Sequence, residues 1–192
     1  KLGPAEQVFT PNDIFMGRVP QGRVVLFDDD HYYMGSVLAE ALVAQGAEVL
    51  FVTPENLVSA WGVMTDEHHQ TQQRLIQLGV QIITAHGLDE YDGSNARLSC
   101  VYTGATRALA VDAVVLVTAR TPTDTLYYEI AEKIAATTPE SKPVPTLDKI
   151  GDCDAPAIIA AAVYAGHRYA RELGSASVHS DVGRQDKLFV PD

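Results

Sequence analysis

Cysteine is almost missing from this sequence: Cys100 and Cys153 are the only two, far apart and without CxxC spacing. No zinc or iron–sulfur ligand set is readable from such a pattern, and a reducing compartment is expected. Long apolar runs are missing too. The longest, "DAVVLVTA" and "APAIIAAAVYA", stop well short of the ~20 residues a membrane-spanning helix needs, so no membrane partner is expected. Basic residues are few, with Lys plus Arg 14 against Asp plus Glu 25 and a formal net charge of -11. A surface that anionic repels phosphate backbones, which argues against nucleic acid. Ser36, Ser59 and Cys153 lack the G-x-S-x-G or Cys–His setting of a nucleophile. The chain starts at Lys1 with no charged-then-apolar leader, and the expectation is an excised piece of a longer, cytoplasmic protein.

What is present is enough apolar material, 46% of 192 residues, for one sizeable core. Residues 1–20 carry Pro4, Pro11 and Pro20 without a sustained period and are read as a linker, although "TPNDIF" could open a short helical turn. "RVVLFD", from Arg23, has the β-branched, apolar signature of a buried parallel strand. In "MGSVLAEALVAQG" the apolar residues Val37, Leu38, Ala41 and Leu42 recur at helical spacing, and Gly46 stands where a helix-ending glycine belongs. The strand "AEVLFVT" completes a strand–helix–strand unit with short connections. A second helix is expected around "DEHHQTQQRLIQLG", stopping at Gly79, and a third strand in "VQIITA". Three short antiparallel strands follow, with turns assigned to Gly87, Gly93 and Gly104. "AVVLVTAR" reads as the most apolar, central strand, and "TDTLYYEIAEKIAA" as a helix with Thr123 or Asp124 at its N-cap. The final helix is "APAIIAAAVYAGHRYAREL", rich in small residues, before an irregular tail.

Two segments carry a family resemblance. "VVLFDDDHYYMGSVLAEALVAQGAEVLFVTP" and "IGDCDAPAIIAAAVYAGHRYARE", with "LVTART" between them, resemble segments of the trimethylamine, dimethylamine and histamine dehydrogenases. These are iron–sulfur flavoproteins of the NADH:flavin oxidoreductase type. The resemblance implies an α/β fold: a Rossmann-like, glutathione-reductase-like parallel sheet with an antiparallel meander over residues 21–140. Residues 141–192 would then hold the returning helix of a flavin-like domain, and a tail. It implies a full-length, homodimeric oxidoreductase with an upstream TIM barrel that carries FMN and a 4Fe-4S cluster, and with a bound ADP. Such a protein would oxidatively demethylate a methylated amine and pass electrons to an electron-transfer flavoprotein. The present stretch would be non-catalytic and would bind no cofactor by itself. Two alternatives stand beside this: an NADPH-dependent enoate or 2,4-dienoyl-CoA reductase of the same layout, and a free-standing interaction domain.

Candidate sites follow from chemistry. A dinucleotide turn after the first strand needs glycines so that the backbone can approach a pyrophosphate. Here Asp28, Asp29, Asp30, His31, Tyr32, Tyr33 and Met34 precede a single Gly35. NAD(P)H binding is therefore not expected, and the three carboxylates are expected to cap the helix that follows, near its positive end. By resemblance, Gly151 and Asp152 are the residues that would contact ADP, although Asp152 or Asp154 could equally be a helix cap. His68 and His69, beside Asp66 and Glu67, point in different directions from a helix and suggest a solvated helix start rather than a metal site. His167 reads as a packing or surface residue. Trp61 reads as a loop aromatic over the core, with a docking patch alongside Met64 as the competing view.

Overall fold

A computed structural model describes residues 2–137 and 145–174, which divide into two compact units, Lys1–Ala119 and Arg120–Asp192. The first unit is built on five parallel strands: β1 (Val8–Phe9), β2 (Arg23–Asp28), β3 (Glu48–Val52), β4 (Gln81–Ile83) and, from later in the chain, β8 (Ala113–Val117). Their spatial order is β1-β8-β2-β3-β4, and every neighbouring pair is parallel. Between β4 and β8 the chain forms an antiparallel meander of β5 (His86–Tyr91), β6 (Asn95–Cys100) and β7 (Thr106–Ala110).

Both faces of the parallel sheet are covered, which is why its strands read as unbroken apolar runs rather than alternating ones. Val24 and Leu26 of β2, with Val49 and Phe51 of β3, belong to one buried cluster. That cluster also takes Leu38 and Leu42 of helix α2 (Tyr33–Ala44) and Leu75 of helix α3 (His68–Gln77). The intervening residues, Val25, Leu50 and Val114, join Tyr91, Ala96 and Leu98 of the meander in a second cluster. Period-two geometry thus sends alternate side chains of one strand to helices on one side and to a second sheet on the other. Tyr91 is fully buried, and its hydroxyl donates to the Asp112 carbonyl at 2.9 Å, which satisfies the polar tip of an otherwise apolar ring.

Helices α2 and α3 lie where the apolar spacing puts them, and each is followed by a glycine in the left-handed region, Gly46 (φ 91) and Gly79 (φ 79). Gly93 (φ 103) and Gly104 (φ 69) serve the turns of the meander. Gly87 does not: it lies within β5, opposite Ser99. The apolar β8 is interior but not central, because β2 holds the middle and the two-residue β1 closes that edge.

Residues 1–20, read as a linker, contain ordered elements. β1 pairs with β8, and Thr10 caps α1 (Pro11–Phe15) in a reciprocal capping box with Asp13. Pro11 sits at the first helical position, where its missing N–H costs nothing, so the short helical turn that "TPNDIF" could open is present. Arg18 fastens the segment, its Nε 3.1 Å from Asp13 Oδ1 and its guanidinium 4.1 Å from the Phe9 ring centre.

The first compact unit ends at Ala119, and helix α4 (Thr125–Thr137) belongs to the second. That unit continues through a short turn at Gly151–Cys153 into α5 (Ile159–Glu172). Pro139 and Pro143, and the tail from Ser175, lie outside the described residues. No helix among the described residues is long and apolar enough to cross a membrane.

Candidate functional site

Strand order reverses between β2 and β8, and open α/β sheets place ligands at the carboxyl end of such a switch point. The turn after β2 lies on it, pinned by a hydrogen bond from the Asp29 amide to the Val117 carbonyl at 2.7 Å. Asp28, the last residue of β2, is fully buried. Its Oδ1 accepts from the Asp30 amide at 3.3 Å, while its Oδ2 is buried with no hydrogen-bond partner. Burial raises the Asp28 carboxyl from 3.8 to about 6, and the neighbouring His31 opposes that rise.

The carboxyl of Asp28 lies against the first turn of α2. A Cβ added to Gly35 would stand 2.7 Å from Asp28 Cγ, so this glycine makes room for the protein's own side chain. The helix begins after Tyr32, which supplies no side-chain cap. For Asp28 the capping expectation fails: its carboxyl folds back on its own turn and stays inside the core, an arrangement that desolvates it.

His31 takes the left-handed conformation (φ 61) that lets the turn close. Its Nε2 lies 3.4 Å from Asp29 Oδ1, and this contact is the main reason the imidazole titrates above its usual range. The His31 carbonyl accepts from the Trp61 amide at 2.9 Å, and the two rings lie 6.5 Å apart. Trp61 is 41% exposed and Met64 is 90% exposed, so neither folds over the core. The turn therefore presents carboxylates and rings where a dinucleotide site needs bare backbone and free N–H groups.

The second candidate lies in the second unit. Gly151 has φ 63, and its carbonyl accepts from the amides of Asp154 and Ala155, both at 2.9 Å. Asp152 is exposed, and its Oδ1 accepts from the Ala157 amide at 3.3 Å. The N-cap of α5 is Ile158, without a side-chain cap, so neither Asp152 nor Asp154 caps that helix. The small residues of α5 matter locally: a Cβ on Gly151 would meet Ala162 Cβ at 3.7 Å, ordinary contact, so the positive φ is what requires glycine here.

Sequence reasoning missed what holds this turn. Lys149 Nζ lies 2.8 Å from Asp124 Oδ2 and 5.2 and 5.3 Å from the ring centres of Tyr127 and Tyr128. The Tyr169 hydroxyl donates to Asp148 Oδ2 at 3.1 Å. The only available signal was a lysine directly before the "IGD" turn.

The remaining candidates stay apart. His68 and His69 stand in the first turn of α3 with their rings 6.5 Å apart and nearly perpendicular, and no metal-holding group of three exists among the described residues. His167 is exposed on α5. Ser36 donates to the Tyr33 carbonyl within its own helix, and Cys100 and Cys153 belong to different units.

Comparison with known proteins agrees with this architecture. The model of the OYE-like second alpha/beta domain matches residues 9–118. Dimethylamine dehydrogenase from Hyphomicrobium sp. (strain x) is 30% identical over 188 residues, a match that covers 88% of this chain and 25% of that protein. Histamine dehydrogenase from Rhizobium sp. 4-9 superposes with a TM-score of 0.83 at 37% identity, over 99% of this chain and 30% of its own. An amine oxidase acting on 6-hydroxypseudooxynicotine, from Pseudomonas geniculata N1, superposes with a TM-score of 0.79 at 31% identity, over 88% and 25% respectively. The chain spans only a quarter to a third of these relatives. It belongs to the family of OYE-like second alpha/beta domains and is homologous to the dimethylamine and histamine dehydrogenases.

Proposed function

We propose that this chain is the non-catalytic, nucleotide-binding-like portion of a cytoplasmic amine dehydrogenase. The observation that carries this reading is the likeness, along nearly the whole chain, to a histamine dehydrogenase. The closed turn at Asp28–Gly35 supports it from the side of chemistry. A buried carboxyl packed on Gly35 takes the approach that a pyrophosphate would need, so electrons leave by a route other than a nicotinamide bound here.

The residues present do not fit a 4Fe-4S cluster. The two cysteines lie in different units, and no three-ligand group exists among the described residues. In this reading FMN and the cluster are held by an upstream barrel, where FMN supplies two-electron acceptance and the cluster supplies one-electron transfer. A methylated amine is the proposed substrate and an electron-transfer flavoprotein the acceptor, in a full-length homodimer. ADP fits better: Gly151 gives a left-handed turn, and Asp152 gives an exposed carboxylate able to accept from a hydroxyl of the nucleotide. The parts of this chain proposed to matter are thus scaffold, subunit contact and one side of an ADP site.

The test is anaerobic mixing of the full-length protein with trimethylamine, dimethylamine and histamine, followed by absorbance. Flavin bleaching by one of the amines, with no reduction by NADPH, is the expected result. Reduction by NADPH and by no amine would instead identify a reductase of the same layout.

A further inference from the structure

We propose that Lys149 is the positioning residue of the Gly151–Asp152 turn, holding it against the start of α4 through Asp124 and the paired rings of Tyr127 and Tyr128. The inference rests on the reading of that turn as a nucleotide contact. Several observations converge on it. The segment Pro145–Ile150 has no regular secondary structure of its own, and the turn after it leaves Asp152 and Asp154 exposed. Its internal bonds are local ones, from the amides of Asp154 and Ala155 to Gly151 and from Ala157 to Asp152. Nothing in those bonds fixes the turn to another element.

Lys149 does fix it. The ammonium is 2.8 Å from Asp124 Oδ2 and lies over two rings that meet edge to face at 5.3 Å, so it is held by charge on one side and by π faces on the other. The side chains of Lys149 and Asp124 are 18% and 24% exposed, which shields the pair more than a surface ion pair is shielded. Asp124 is anchored in turn, because its carbonyl accepts from the amides of Tyr127 and Tyr128 at the head of α4. On the other flank, Asp148 takes the Tyr169 hydroxyl from α5. The residues just before Gly151 are therefore tied to two helices at once. A turn fixed before its ligand arrives pays less ordering entropy on binding, and its affinity rises accordingly.

The test uses the full-length protein, freed of bound nucleotide, with ADP as the probe and equilibrium titration as the readout. Four variants are compared: K149M, K149R, D124N and K149M/D124N. D124N keeps a good helix-capping residue while removing the charge. The expectation is about tenfold weaker ADP binding in K149M and in D124N, no further loss in the double variant, and binding within about threefold of wild type in K149R. Thermal midpoints should stay together. If D124N binds ADP as wild type does while K149M fails, Lys149 touches the nucleotide directly and the positioning role is wrong. Loss in K149M matched by a fall in thermal midpoint makes the clamp a matter of folding alone and also overturns it. Undiminished binding in K149M refutes the clamp and leaves the nucleotide turn standing, whereas a wild-type protein that ignores ADP removes the nucleotide turn itself.

Discussion

Replacing Asp28 with asparagine should make this protein more stable at neutral pH, and by an amount that grows with pH. Asp28 is fully buried with Oδ2 unpartnered, and its carboxyl is raised from 3.8 to about 6 mainly by that burial. In the unfolded chain the group ionises near 3.8, so between these two values the folded state binds the extra proton. Stability from this group is therefore full below pH 3.8, falls as pH rises, and reaches its lowest level above about 6. The gap between 3.8 and about 6 corresponds to roughly 3 kcal/mol. Asparagine does not ionise; its amide adds a constant offset, because one N–H enters a site with no acceptor, but no pH dependence. The assay is urea unfolding of wild type and D28N followed by far-ultraviolet circular dichroism at several pH values from about 4 to 8. The difference between the two proteins should shift by roughly 2–3 kcal/mol in favour of D28N across that range and flatten above about pH 7. A difference that stays constant with pH, or that moves in favour of wild type, would show that Asp28 is solvated or paired in the folded state.

Three further outcomes follow from the same geometry. Gly35→Ala alone should cost roughly 1–3 kcal/mol, because its methyl meets Asp28 Cγ at 2.7 Å; adding Asp28→Ala should return much of that, and urea midpoints of the single and double variants check it. Leu98→Ala, emptying a fully buried position between the meander and the parallel sheet, should cost about 2–5 kcal/mol. Asp13 is held down to about 2, chiefly by the hydrogen bond from Arg18, so its contribution is complete above 3.8 and lost as pH falls through about 2; Arg18→Ala should return the Asp13 carboxyl toward 3.8 in a carbon-detected titration.

The elements with a strong local pattern were legible: β2 and β3 stand where unbroken apolar runs put them, α2 where the 3.6-residue pattern puts it, and the meander where short strands between turns were expected. Other features were not. The helical turn at "TPNDIF" could be read, but the strand before it, two residues long, is too short for any period to register. At the turn after β2, composition alone shows three acidic residues and suggests a solvated cap. Only the packing of Gly35 against the Asp28 carboxyl reveals that one of them is core. The tether from Lys149 to Asp124 spans 25 residues and so lies beyond any local pattern.

The most direct test of the account is isothermal titration of the full-length protein with NADH and NADPH. With Asp28 packed against Gly35, neither nucleotide should produce saturable heat at the turn after β2, in wild type or in D28N. Micromolar binding of either, lost on substituting residues of that turn, would contradict the central claim that this crevice is closed to pyridine nucleotides.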